Sequence, residues 1–128
     1  MDVSSILIHQ PMIKNVSVKD FKLQNGNLIF TSGQGKPGVL FIWADYCSHC
    51  HATIPLIRML EAKLGRSVVF TAIEQGQFKD KPTFRNALNF HYFPTIKFID
   101  SAGNVSTSQF QGERTEDSLT RWISQMSR

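Results

Sequence analysis

Cys47 and Cys50 are the only two cysteines in a chain of 128 residues, and they stand three apart in Cys47-Ser48-His49-Cys50. Two kinds of chemistry are open to such a pair. The sulfurs can open and close a disulfide with each other, because the three-residue step brings the second within reach of the first. They can also supply half of a soft-ligand metal site, completed by imidazole from His49, His51 or His91. A purely structural bridge is the weakest option. It would close a tiny loop and add little stability, and small secreted domains stapled by disulfides carry more cysteines. No second pair of metal ligands is evident, which leaves exchange ahead of metal binding.

Exchange chemistry depends on where the pair sits. Val39 to Trp43 is a continuous apolar run rich in β-formers, the pattern of a strand buried on both faces. Beyond it Ile54, Ile57, Leu60 and Leu64 recur at helical spacing, Pro55 is expected to kink the helix, and Gly65 ends it. Cys47 therefore falls in the segment leaving the strand and Cys50 in the first helical turn. A helix N-terminus presents unpaired N–H groups and partial positive charge, which favour thiolate over thiol. Cys47 is expected to attack a partner disulfide, and the more covered Cys50 to attack the mixed disulfide and release the partner.

The remaining elements alternate. Ser67 to Ile73 predicts a second buried strand, and residues 83–89 a helix. Thr95-Ile96-Lys97-Phe98-Ile99 alternates like a half-covered strand, and Val105 to Gln111 is its hairpin partner across the Ser101–Asn104 turn. Thr115 can cap a last helix whose apolar face is Leu119, Trp122, Ile123 and Met126. From Val39 the order is β-α-β-α-β-β-α. That is an α/β class with a central mixed β-sheet flanked by helices, its first two strands parallel through a right-handed crossover. Earlier in the chain a strand is expected near residues 13–18, and Asn25-Gly26 between apolar pairs is a hairpin signal. Residues 1–12 read as a poorly ordered lead and 13–128 as a single domain.

Composition narrows the function classes. With 41% hydrophobic and 19% charged residues the chain belongs with globular proteins, not disordered ones. The net charge of +4 comes from scattered lysines and arginines. No clustered basic stripe forms, so a nucleic-acid partner is not expected. Val39–Ala44, the longest apolar run, falls far short of a membrane span, which needs about 20 residues. Asp2 and the short Ile6-Leu7-Ile8 do not make a secretory signal, so the expected address is cytoplasmic.

Trp43-Ala44-Asp45-Tyr46-Cys47-Ser48-His49-Cys50 strongly resembles the active site of the thioredoxin superfamily. Pro55, five residues after Cys50, matches that family's active-site-helix proline, and Phe93-Pro94-Thr95 looks like its cis-proline loop. Gly112 matches the glycine before the last helix. The resemblance covers about residues 38–126. It implies a thioredoxin fold and a thiol-disulfide oxidoreductase that needs no dissociable cofactor and no metal. Pro94 with a cis peptide would shape the groove, Phe93 would pair its backbone with an extended substrate, and Trp43, Tyr46 and Thr95 would complete the surface. The implied partners are protein disulfides or dithiols and a recycling partner, met by a monomer.

Two departures from the family pattern carry chemistry. Thioredoxins and protein disulfide isomerases place a buried acid six residues before the first cysteine; here that residue is Phe41, which leaves water or His51 to take the Cys50 proton. Thr71 or Ala72 falls where the matching buried lysine would be. Ser48-His49 replaces the family's usual intervening dipeptides, and a histidine beside the thiolate stabilises the reduced form, which makes the disulfide more oxidising. That effect points toward oxidase or isomerase activity, whereas a cytoplasmic address points toward reduction. The alternatives are a thioredoxin-like binding module whose pair is vestigial or regulatory, and a Cys/His metal-binding adaptor.

Overall fold

The structure, a computed structural model, describes residues 13–128, so the expected lead over residues 1–12 lies outside the described residues. The strands are β1 (Lys14–Asn15), β2 (Phe21–Gln24), β3 (Asn27–Phe30), β4 (Gly38–Trp43), β5 (Val69–Glu74), β6 (Thr95–Ile99) and β7 (Val105–Gln109). Helix α1 (Ser48–Leu64) joins β4 to β5, α2 (Pro82–Leu88) lies between β5 and β6, and α3 (Glu116–Met126) follows β7. Five strands form one sheet in the order β1-β5-β4-β6-β7. β1, β5 and β4 are parallel, while β6 and β7 run antiparallel, so the sheet is mixed as its sequence pattern implies. None of the helices among the described residues is long and apolar enough to cross a membrane.

Residues opposite one another in a ladder share a face, and this divides the core in two. Phe41 lies opposite Ala72 and Ile96, and with Val39 and Phe70 it packs beneath Ile57 and Leu60 of α1 and Leu119 and Ile123 of α3. On the other face Leu40, Ile42, Ile73 and Ile99 meet the β2–β3 hairpin through Phe21, Leu28 and Phe30, and α2 through Phe84 and Leu88. Strand β4, central and apolar throughout, is the rigid base from which the cysteine loop departs. Pro55 leaves α1 continuous from Ser48 to Leu64 and is exposed, and Gly65 is its C-cap.

Two expectations need correction. The strand near residues 13–18 shortens to Lys14–Asn15, because Ser17 caps a 3-10 turn at Val18–Asp20: the Asp20 carboxylate accepts from the Ser17 N–H at 2.9 Å. The Asn25-Gly26 hairpin forms as well, with φ of 54° and 80° at its two turn residues. Strand β6 is also not half-covered; all five of its residues are buried. Lys97 achieves this by burying its stem while Nζ donates to the carbonyls of Ser106 (3.0 Å) and Thr107 (3.1 Å). These carbonyls sit where the β6–β7 register shifts.

Candidate active site

Cys47 is the N-cap of α1, with extended backbone at φ −91° and ψ 110°. Its Sγ accepts a hydrogen bond from the Cys50 N–H at 3.1 Å, so a helix-end donor is met by sulfur where serine or threonine oxygen usually serves. The loop is tightened by the Cys47 N–H, which donates to Ala44 O at 3.0 Å. Both thiols are free; Cys47 is half-buried, whereas Cys50 is fully buried. Burial, and then the hydrogen bond with Cys47, pushes the Cys50 thiol up from 9.0 to about 12. Phe41, itself buried, belongs to the same apolar cluster as Cys50 and occupies the position where an acid would stand.

The flanking residues fall into two groups around this pair. Ser48 and His49 are exposed on the first turn, and the His49 carbonyl accepts from Thr53 Oγ1 at 2.8 Å. Trp43 stacks on Phe41 (centroids 6.5 Å apart) and meets the edge of His51 at 5.7 Å. His51 in turn donates through Nε2 to the Asp45 carbonyl at 2.7 Å, which ties it to the loop before Cys47. On the opposite side the Phe93–Pro94 peptide is cis. Phe93 packs edge-on against Tyr46 at 6.3 Å, and both Phe93 and Cys47 rest on the cluster that contains Cys50. Tyr46, 76% exposed, and Tyr92, 48% exposed, leave aromatic surface on the cysteine loop and on the proline loop.

Thr95, expected at the groove surface, is buried, and its hydroxyl donates to Tyr92 O at 2.6 Å. It acts on the groove by holding the loop. Pro94 is buried too, while the Phe93 N–H and carbonyl take part in no backbone hydrogen bond outside the sheet among the described residues. Those two groups are available to an added strand. His91 is exposed, and no group of three or more His, Cys, Asp and Glu gathers to hold a metal among the described residues.

Sequence reasoning missed two cations. Burial lowers the Lys97 ammonium to about 8, but Lys97 lies opposite Leu40, on the sheet face away from Cys50. Arg114, two residues after Gly112, lines a cavity with Pro94, and its positive charge works against the rise at Cys50. The only signal for it in the sequence was a basic residue soon after the family glycine.

The thioredoxin family model matches residues 26–125. A thioredoxin-like protein of Haemophilus influenzae is 34% identical over 59 residues, which are 46% of this chain and 35% of that protein. The chain thus matches about a third of the length of this curated relative. Among solved structures it is similar to spinach chloroplast thioredoxin F in its long form, with TM-score 0.64 and 18% identity over 98% of this chain and 94% of that one. Human ERp44 form I gives TM-score 0.68 at 16% identity, covering 91% of this chain and 29% of that chain. Thioredoxin of Fasciola hepatica gives TM-score 0.56 at 22% identity, covering 73% of this chain and 83% of that chain.

Proposed function

The chain belongs to the thioredoxin family, and we propose that it exchanges disulfides with protein substrates through Cys47 and Cys50, as a monomer whose working unit is residues 13–128. The observation that carries this proposal is the cysteine geometry. One sulfur caps the helix and is partly open to solvent, while the second is buried one turn later and already bonded to the first through its N–H. Attack needs an accessible sulfur, and resolution needs a protected one within reach.

In the reducing direction the Cys47 thiolate attacks one sulfur of the substrate disulfide. A Cys47–substrate S–S bond forms, the substrate S–S bond breaks, and one substrate thiolate leaves. Cys50 then gives up its proton and attacks Cys47 Sγ. The Cys47–Cys50 bond forms, the mixed disulfide breaks and the second substrate thiolate departs. Two electrons pass from the protein dithiol to the substrate, and the reverse sequence oxidises a substrate dithiol. Pro94 and Phe93 would hold the extended substrate, with Tyr46 and Trp43 as apolar surface and Ser48-His49 tuning the potential.

The test is the redox equilibrium of the pair in glutathione buffers, read by alkylation mass shift. A midpoint of about −270 mV indicates a reductant, whereas about −180 to −120 mV indicates an isomerase or oxidant. Phe41 in the cluster with Cys50 favours a second reading, a binding module with a regulatory thiol pair, because among the described residues no acid stands by to take the Cys50 proton. Failure of the pair to close at any potential would select that second reading.

A further inference from the structure

Beside Pro94 a cavity of about 320 Å³ opens between the proline loop and the segment joining β7 to α3. Pro94, Ile96 and Phe110 line it with apolar surface, and Tyr92, Gln111 and Arg114 bring polar groups to it. The cavity is firmly built. The Phe110 N–H donates to Ile96 O at 2.8 Å, and the Phe110 ring packs on Trp122 at 5.4 Å. Arg114 immediately precedes Thr115, the N-cap of α3, whose own N–H donates to Glu113 O at 2.8 Å. The arginine backbone is therefore held by this turn, and its exposed side chain extends from it.

Among the described residues the Arg114 guanidinium enters no ion pair and no hydrogen bond, and the neighbouring Glu113 does not pair with it. An unpaired guanidinium in a mostly polar cavity that also includes Pro94 and Phe110 suits a carboxylate carried on a short aliphatic stem, the stem lying on Pro94 and Phe110 and the charge on Arg114. The unpaired backbone of Phe93 would guide an extended chain past this opening. We infer that the cavity receives an acidic side chain of the substrate close to its reacting cysteine, and that Arg114 is the residue that selects it. The inference rests on the exchange reaction proposed above for Cys47 and Cys50 and names its substrate class: protein segments with aspartate or glutamate beside the cysteine.

The test uses the full chain, reduced, and peptides whose single cysteine is capped as a mixed disulfide with 2-mercaptoethanol. Glu, Gln or Lys is placed two residues before or two residues after the cysteine. The Glu peptide is expected to react about tenfold faster than the Gln peptide at low ionic strength from one of the two positions, and the ratio narrows in high salt. Arg114→Gln brings the ratio toward one, and Arg114→Glu inverts the order in favour of the Lys peptide. A ratio of one in the wild type at both positions overturns the inference, as does an undiminished ratio in Arg114→Gln. Slowing of all peptides by the same factor in Arg114→Gln, with the Glu/Gln ratio kept, also overturns it, because the arginine would then act only through the sulfurs, as its charge on Cys50 does. The same peptides with serine in place of cysteine are measured by equilibrium binding. If no peptide reacts, the exchange reaction itself has failed, and the Glu/Gln affinity ratio still decides whether the cavity selects acid.

Discussion

The buried resolving thiol makes the second half of exchange strongly dependent on pH. Cys50 is raised from 9.0 to about 12, with burial the largest cause and the hydrogen bond and charge of Cys47 adding to it. Once Cys47 is tied up in a mixed disulfide its charge is gone, but burial against Phe41 persists, so the Cys50 pKa stays above 9.0. At pKa about 12 the thiolate fraction at pH 7 is about 10⁻⁵, against about 10⁻² for an ordinary thiol. The more basic thiolate is a better nucleophile, and a Brønsted slope of about 0.4–0.5 recovers roughly 20-fold of that 1,000-fold deficit. Resolution should therefore run slower than with an ordinary thiol in the same place, by up to about 30- to 60-fold, the limit reached if the pKa stayed at about 12. Raising the pH from 7 to 10 should accelerate it by several hundred- to about 1,000-fold, close to tenfold per unit and without a plateau, against about 90-fold for a thiol at 9.0. The assay mixes reduced protein rapidly with excess peptide disulfide, quenches in acid, alkylates, and follows decay of the Cys47 adduct by mass. Formation and decay are resolved separately, so the first step does not enter. A rate that levels off close to pH 9 would refute the reasoning, because Cys50 would then ionise as an unburied thiol does.

Further outcomes follow from the same geometry. Cys50→Ser should accumulate a mixed disulfide through Cys47 when challenged with a disulfide substrate, seen as a stable mass adduct; absence of adduct removes the resolving role. His49→Pro, in the first turn of α1 where proline is tolerated, should lower the midpoint potential of the pair, and an unchanged midpoint in glutathione buffers would exclude His49 from the tuning. Lys97, lowered by burial to about 8 from 10.5, is deprotonated in the folded chain before it is in the unfolded one. Between those two pH values the unfolded state binds more protons, so stability rises with pH. Lys97→Met should remove that rise relative to wild type in thermal melts at pH 7 and 10, and parallel profiles would contradict it; Cys50 is common to both proteins and cancels. Phe78, fully buried against Phe84 and Phe90, should lose about 3–5 kcal/mol on change to alanine, measured by urea unfolding.

Much of this protein is legible without coordinates, because it is written in short-range patterns. The apolar run of β4, the helical spacing from Ile54 to Leu64, the Thr115 cap and the Asn25-Gly26 turn each depend on neighbours a few residues away, and each element forms where expected. The same locality put Cys47 and Cys50 at a strand-to-helix junction, while the resemblance to the thioredoxin pattern marked Phe41 as standing where an acid is usual. The short strand at Lys14–Asn15 was less legible, since the Ser17–Asp20 capping box competes for the same residues.

What only the tertiary structure decided involves groups distant in sequence. Thr95 and Lys97 read as the polar face of a half-covered strand, yet both are buried. The Tyr92 carbonyl satisfies one and the displaced β7 carbonyls satisfy the other. Burial of a polar residue depends on whether a partner arrives to replace water, and periodicity carries no record of that partner. Arg114 became part of a cavity with Pro94 only because β6 and the connection to α3 lie side by side. The thiol pair is a local motif, whereas the burial that sets the acidity of Cys50 and the charge beside its groove arise from chain segments that meet only in the fold.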